Sequence, residues 1–247
     1  MPNIYAENSD GVASYYAVAS WATARSSAAG TGGSNVGSRT SYAVATQYVS
    51  GRGSTVPLIY RSWFIFDTSG ISVTPSSATL KLYGYSTNTA DLIAVKLEQP
   101  LEATVKNNFD HIDGCASQLA ASDGAGTGTL ASCGTDYSAE VTTWSTSGYN
   151  SITLNSDALS DMANDDSIGI MLLEYDRDYL DTISVGDTVV RSGLYYANYT
   201  GTFRDPYIDY TAGSVSGYSH TVMGVSSGDI SKVKGVATAD IDKVIGV

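Results

Sequence analysis

The chain has 247 residues, with 13 Lys+Arg against 25 Asp+Glu and a formal net charge of −12. That balance argues against nucleic acid as a partner, because phosphates are held by clustered Lys and Arg, and none lies between Lys106 and Arg177. No run approaches the ~20 apolar residues that span a bilayer, so no membrane insertion is expected; with only 15% charged residues, the chain also lacks the Glu and Lys of long surface helices.

The first eight residues, MPNIYAEN, hold no basic stretch followed by an apolar one and do not read as a signal peptide. The expectation is a protein that stays in the cytoplasm or leaves it by lysis. Residues 1–57 are rich in Ser, Ala, Gly and Tyr, with a low-complexity stretch at 26–34, and read as one or two edge strands joined by a long loop. Residues 58–66 (LIYRSWFIF) are aromatic and β-branched, the pattern of a central buried strand with Trp63 in the core. Turn chemistry at 67–70 (DTSG) stops it.

Residues 78–85 (ATLKLYGY) and 92–98 (LIAVKLE) follow as strands. In the second, Ile93, Val95 and Leu97 alternate with Ala94, Lys96 and Glu98, which predicts one face on a core and one in water. Residues 107–135 form an acidic, Gly-rich insertion holding both cysteines, Cys115 and Cys133. A disulfide there would stabilise by about 3 kcal/mol in the chain-entropy model, and two free thiols in a reducing compartment are the other reading. Two cysteines are too few for a structural zinc site.

Short strands at 141–144 and 151–154 flank an SGYN turn. Residues 157–163 (DALSDMA), opened by Asn155 and Ser156, carry the N-cap chemistry of a helix about two turns long. Strands at 168–175 (IGIMLLEY), 185–191 and 205–210 complete the set. Many short strands, Gly/Ser/Asn turns and one short helix make the chain all-β, a β-sandwich.

Beyond Thr211 the texture changes, which divides the chain into a sandwich domain at 1–211 and a linker and tail at 212–247. The tail repeats with period 11: Gly224, Gly235 and Gly246 are each followed by Val225, Val236 and Val247, and Val222, Val233 and Val244 stand two residues before each Gly. Ile230 and Ile241 fill the intervals. Fixed-period similarity means repeated structural units. Each is expected to be a helical turn opened by Ser227 or Thr238, then an extended Val-x-Gly-Val, and these valines and isoleucines are the candidate assembly residues. A tail so short buries little core alone and must dock on the sandwich, another copy or another protein.

Residues 61–71 (RSWFIFDTSGI) and 77–83 (SATLKLY) resemble the DNRLRE-type jelly-roll domains, which are similar in turn to carbohydrate-binding-module sandwiches. Residues 149–154, the helix and 168–172 are also similar to that pattern, so the resemblance covers roughly 58–210 and implies a jelly-roll-like sandwich. The I-x-K-V-x-G-V repeats resemble those at the ends of bacteriophage virion and tail-associated proteins. Together these resemblances imply a phage particle protein assembled in the host cytoplasm.

Asp176, Asp178 and Asp181 lie within six residues just after a strand, as calcium-binding loops do, and jelly-roll relatives often hold a structural calcium. A solvated turn in which Arg177 pairs with a neighbour is the other reading, and Asp161, Asp165 and Asp166 form a second such cluster. Spacing selects no catalytic pair among Glu98, Glu102, Glu140 and Glu174, and His111 and His220 have no nucleophile elbow near them. The chain is therefore expected not to be an enzyme.

Tyr195, Tyr196 and Tyr199 are candidates for stacking on a host-surface glycan, against the plainer reading that tyrosines cover half-buried sheet. The leading expectation is a virion structural protein, a surface decoration, fibre or tail-associated component that forms a homo-oligomer with other virion proteins around it. A carbohydrate-binding or host-adhesion module is the alternative.

Overall fold

Aromatic and β-branched runs between Gly, Ser and Asn turns pair as antiparallel strands throughout the computed structural model, which describes residues 2–34, 39–51, 53–115, 130, 133–197 and 202–214, and the backbone of 232, 233, 236 and 237. In chain order the first elements are β1 (Asn3–Tyr5), β2 (Gly11–Tyr16), α1 (Trp21–Arg25), β3 (Gly32–Ser34), β4 (Arg39–Gly51), β5 (Ser54–Asp67), β6 (Ser77–Asn88) and β7 (Leu92–Lys96). There follow β8 (Tyr149–Thr153), α2 (Ser156–Asn164), β9 (Ser167–Glu174), β10 (Asp187–Tyr195), β11 (Tyr207–Thr211), β12 (Lys232–Val233) and β13 (Val236–Ala237). Short 3-10 turns at Val105–Asp110 and Thr202–Arg204 and a π-helical turn at Tyr175–Tyr179 join them.

The fold is an all-β sandwich with little helix. One sheet runs β1-β11-β6, with β8 also on β6. The other is built on β5, which pairs with β2 along 58–63, with β4 along 54–60 and with β9 along 62–67. The sheets join at a corner, because β10 pairs with β4 and with the far end of β6. Gly84 and Gly193 stand at that corner, where a Cβ at either would overlap the Ser145 or the Tyr85 carbonyl.

Between the sheets lies a core of Phe64, Phe66, Leu80, Leu82, Ile170 and Ile208, with Ala158 and Met162 of α2 packed into it. Asn155 caps that helix, its side chain accepting from the backbone N–H groups of Asp157 and Ala158. This is the helix the sequence predicts, one residue longer at each end.

A second core covers the other face of the β5 sheet. Ile59, Trp63, Ile65, Ile93, Val95 and Met171 pack there beneath Trp21 of α1, Phe109 of the 3-10 turn and the segment around Cys115. Cys115 and Cys133 are joined in a disulfide with Cα atoms 5.1 Å apart. The two cores together correct the expectation for residues 92–98. No face of β7 is in water along 92–95, since Leu92 and Ala94 enter the first core while Ile93 and Val95 enter the second. The face that alternation assigned to solvent enters the first core at Ala94, between the sheets, while the loop layer closes over Ile93 and Val95 on the other face.

The N-terminal quarter also departs from expectation. Residues 39–51 form one 13-residue strand whose middle, Ala43 to Thr46, is fully buried, and residues 21–25 form a capped helical turn. Small residues dominate β4, so it lacks the bulky signature of a central strand. Residues 141–144 make only an isolated bridge, Val141 to Leu92, rather than a strand.

In the tail, β12 and β13 pair antiparallel, Val233 opposite Val236, as a two-stranded sheet separate from the sandwich. Val222, Val225, Ile230, Ile241, Val244, Val247 and the expected helical turns lie outside the described residues.

Candidate functional site

The π-helical turn follows directly from β9, and its three aspartates part company. Asp178 is fully buried and accepts from Arg61 at both oxygens, Nε and Nη2 each at 2.7 Å. Arg61 also donates to the Phe109 and Arg25 carbonyls and lies over the Phe109 ring, 4.2 Å from its centroid. Arg25 donates to the Asp178 carbonyl at 2.6 Å and pairs with Asp181 at 3.3 Å, while Trp21 donates its indole N–H to Asp181 at 2.9 Å. Asp176 stays exposed.

Of the three carboxylates assigned to calcium, Asp178 and Asp181 are thus each paired with a guanidinium. Among the described residues no group of three or more His, Cys, Asp or Glu side chains is arranged to hold a metal ion. The arrangement is a buried clasp, tying α1, β5, the 3-10 turn and the π-helical turn. Nothing in the local spacing reveals it, because Arg25, Arg61 and Asp178 are distant in sequence.

Glu174, which spacing could not single out, ends β9 and caps the π-helical turn. It is buried, accepts from the backbone N–H groups of Arg177 and Asp178 and from the Thr46 hydroxyl, and burial pushes its carboxyl up to about 7. Asp10 is a second buried carboxyl. It accepts from the Ala197 N–H at 2.6 Å, and burial, with the Asp205 charge nearby, raises it to about 7 as well.

A polar groove of about 630 Å³ opens where β7 ends, β9 begins and α2 finishes, lined by Glu98, Gln99, Asp113, Asn164, Asp165 and Asp166. Lys96 pairs with Asp161 at 2.9 Å and lies 4.0 Å from Asp165, and Tyr137 donates to Asp161 at 2.5 Å. Burial lowers the Lys96 ammonium, but Asp161, Asp113 and Asp165 outweigh it and hold the group above its usual range. Burial and Asp161 also raise the Tyr137 phenol. Both groups keep their protons near neutral pH, so Lys96 and Tyr137 stand as hydrogen-bond donors beside the carboxylates that line the groove.

The structure separates the tyrosines proposed for a glycan. Tyr196 is fully buried, stacked on Phe64 with ring centroids 5.6 Å apart and hydrogen-bonded to the Ser62 hydroxyl at 2.6 Å, so its face is closed to a sugar. Strand alternation turns Tyr195 the other way, onto the outer face of the sandwich, where its neighbours leave it only 6% exposed. There its ring meets Tyr83 at 5.5 Å and Tyr85 at 5.4 Å, and Arg204 donates to its hydroxyl at 2.8 Å. Tyr199 lies outside the described residues.

No protein-family model matches this chain, and no curated protein matches it either.

Proposed function

We propose that the chain is a non-enzymatic structural protein of a bacteriophage particle, a surface decoration, fibre or tail-associated component in which the sandwich is the body and the repeat tail the assembly device. One observation carries the assembly role: Lys232–Val233 pairs antiparallel with Val236–Ala237, in a sheet separate from the sandwich. A hairpin with two-residue strands does not hold itself together in water. Period 11 places Val222 and Val225, and Val244 and Val247, at the equivalent points of the neighbouring repeats. Repeats of this kind gain stability by stacking on one another or on a neighbouring chain.

Residues up to Thr211 complete the sandwich, where β11 ends against Ser77 of β6. A partner bound through the tail therefore need not open either core. The partners are other virion proteins, among them further copies of this chain. Light scattering after size exclusion, on the full chain and on a version ending at Thr211, tests the reading. An oligomer that becomes monomeric on truncation is expected, together with loss of incorporation into particles. A full chain that is monomeric and stays out of particles would overturn it.

A further inference from the structure

The outer face of the β1-β11-β6-β8 sheet carries an uninterrupted row of tyrosines. Tyr5 touches Tyr207 at 5.6 Å between ring centroids, Tyr207 touches Tyr149 at 5.1 Å, and Tyr149 touches Tyr83 at 5.2 Å. Tyr83 then meets Tyr195, which meets Tyr85, so six rings follow one another across β1, β11, β8, β6 and β10. Most neighbouring rings meet edge to face, a geometry that fixes each against the next.

Two guanidiniums cover one end of the row. Arg204 lies 5.0 Å from the Tyr83 ring centre and 4.7 Å from that of Tyr195, and Arg39 lies 4.8 Å from that of Tyr85. Beside them Phe203 is 68% exposed, and at the far end Tyr5 is 49% exposed.

The shape of the patch selects its ligand. It is one ring wide, because the same strands continue on the same face with Thr79 and Lys81, Ser151 and Thr153, and Asp209. A protein interface of ordinary size has a broad apolar centre inside a polar rim, whereas this is a narrow aromatic track flanked by hydroxyls and charges. A linear polymer of rings fits such a track. The charge selects further, since two arginines are concentrated here on a chain of net charge −12. A guanidinium matches a carboxylate or a sulfate with paired hydrogen bonds.

We propose that this tyrosine row, with Arg39 and Arg204, binds an anionic polysaccharide, sugar faces against Tyr5, Tyr207 and Tyr149 and acidic groups against the guanidiniums that cover Tyr83, Tyr85 and Tyr195. The site belongs to the sandwich and is independent of the tail, so it stands or falls separately from the assembly role.

Affinity electrophoresis of the full chain in gels containing alginate, a linear uronic-acid polymer, or neutral dextran tests it. Retardation by alginate but not dextran is expected, weakening as salt rises to about 0.5 M. Arg39→Ala is at an exposed position and should weaken retardation roughly tenfold without changing the melting temperature. Tyr5→Ala, on the exposed edge strand, should weaken it by a smaller factor with the fold intact. Equal retardation by dextran, none by alginate, or full retardation of the Arg39 variant would overturn the proposal. A dimer in light scattering that Tyr5→Ala dissolves would overturn it in favour of a second copy on the row.

Discussion

Arg61 and Asp178 form a two-pronged ion pair at 2.7 Å on each prong, with both side chains fully excluded from water. The pair joins β5 to the π-helical turn. Desolvating both charges is costly, so its net contribution is modest while both partners are present. Removing one leaves the other buried and uncompensated.

Asp178→Asn and Arg61→Met are therefore each expected to destabilise the sandwich by about 3–5 kcal/mol. Urea unfolding followed by tryptophan fluorescence reads this directly. The double variant should lose less than the sum of the two, since it removes both buried charges. Strict additivity would show that the two side chains do not act on one another.

Stability should fall as pH rises through the acid and neutral range, because of Asp10 and Glu174. Folding raises Asp10 from 3.8 to about 7, so the folded chain holds this proton more tightly than the unfolded one. Its contribution is complete below about pH 4 and is lost as pH approaches about 7; Glu174, raised from 4.5 to about 7, acts in the same window. Asp10→Asn should flatten the dependence of melting temperature on pH between these limits, with its most favourable effect at pH 8. An unchanged slope would mean the carboxyl is solvated.

Gly84→Ala should destabilise by roughly 1–3 kcal/mol or more, since the added carbon overlaps the Ser145 backbone where the two sheets meet. Gly51→Ala is the control, with nothing within 4 Å of the added carbon. Thermal unfolding of the two variants side by side distinguishes a packing effect from a general loss of glycine freedom.

Reduction of the Cys115–Cys133 bond, or Cys115→Ser with Cys133→Ser, should lower stability by about 3 kcal/mol for a loop with a sequence separation of 18. Denaturant unfolding with and without reductant checks it. Phe109 and Ile112 pack beside Cys115, so fluorescence of nearby Trp21 and Trp63 should report loosening of the second core first.

The strands legible in the sequence are those whose neighbours are bulky. Residues 58–66 and 168–175 announce themselves because a strand buried on both faces needs large apolar side chains at nearly every position, and Phe64 opposite Ile170 shows why. β4 is fully buried only in its middle, which is filled with Ala43, Val44, Ala45 and Thr46, so its composition imitates a loop. The α2 helix is legible because its Asn155 cap acts on the next few residues.

The sequence by itself determined the β class, the turns that divide the strands, the capped helix and the repeat of the tail, since each depends on residues close along the chain. Only the tertiary structure decided that both faces of β7 are dry along 92–95, which tyrosines follow one another in a row, and which arginines meet Asp178 and Asp181 after β9. Those outcomes rest on side chains brought from far apart: Arg61 meets Asp178 across 117 residues, and Tyr83 meets Tyr195 across two strands of a sheet. Burial and charge pairing are properties of the packed molecule, so the buried pairing of Asp178 with Arg61 is invisible to the spacing of the acidic loop.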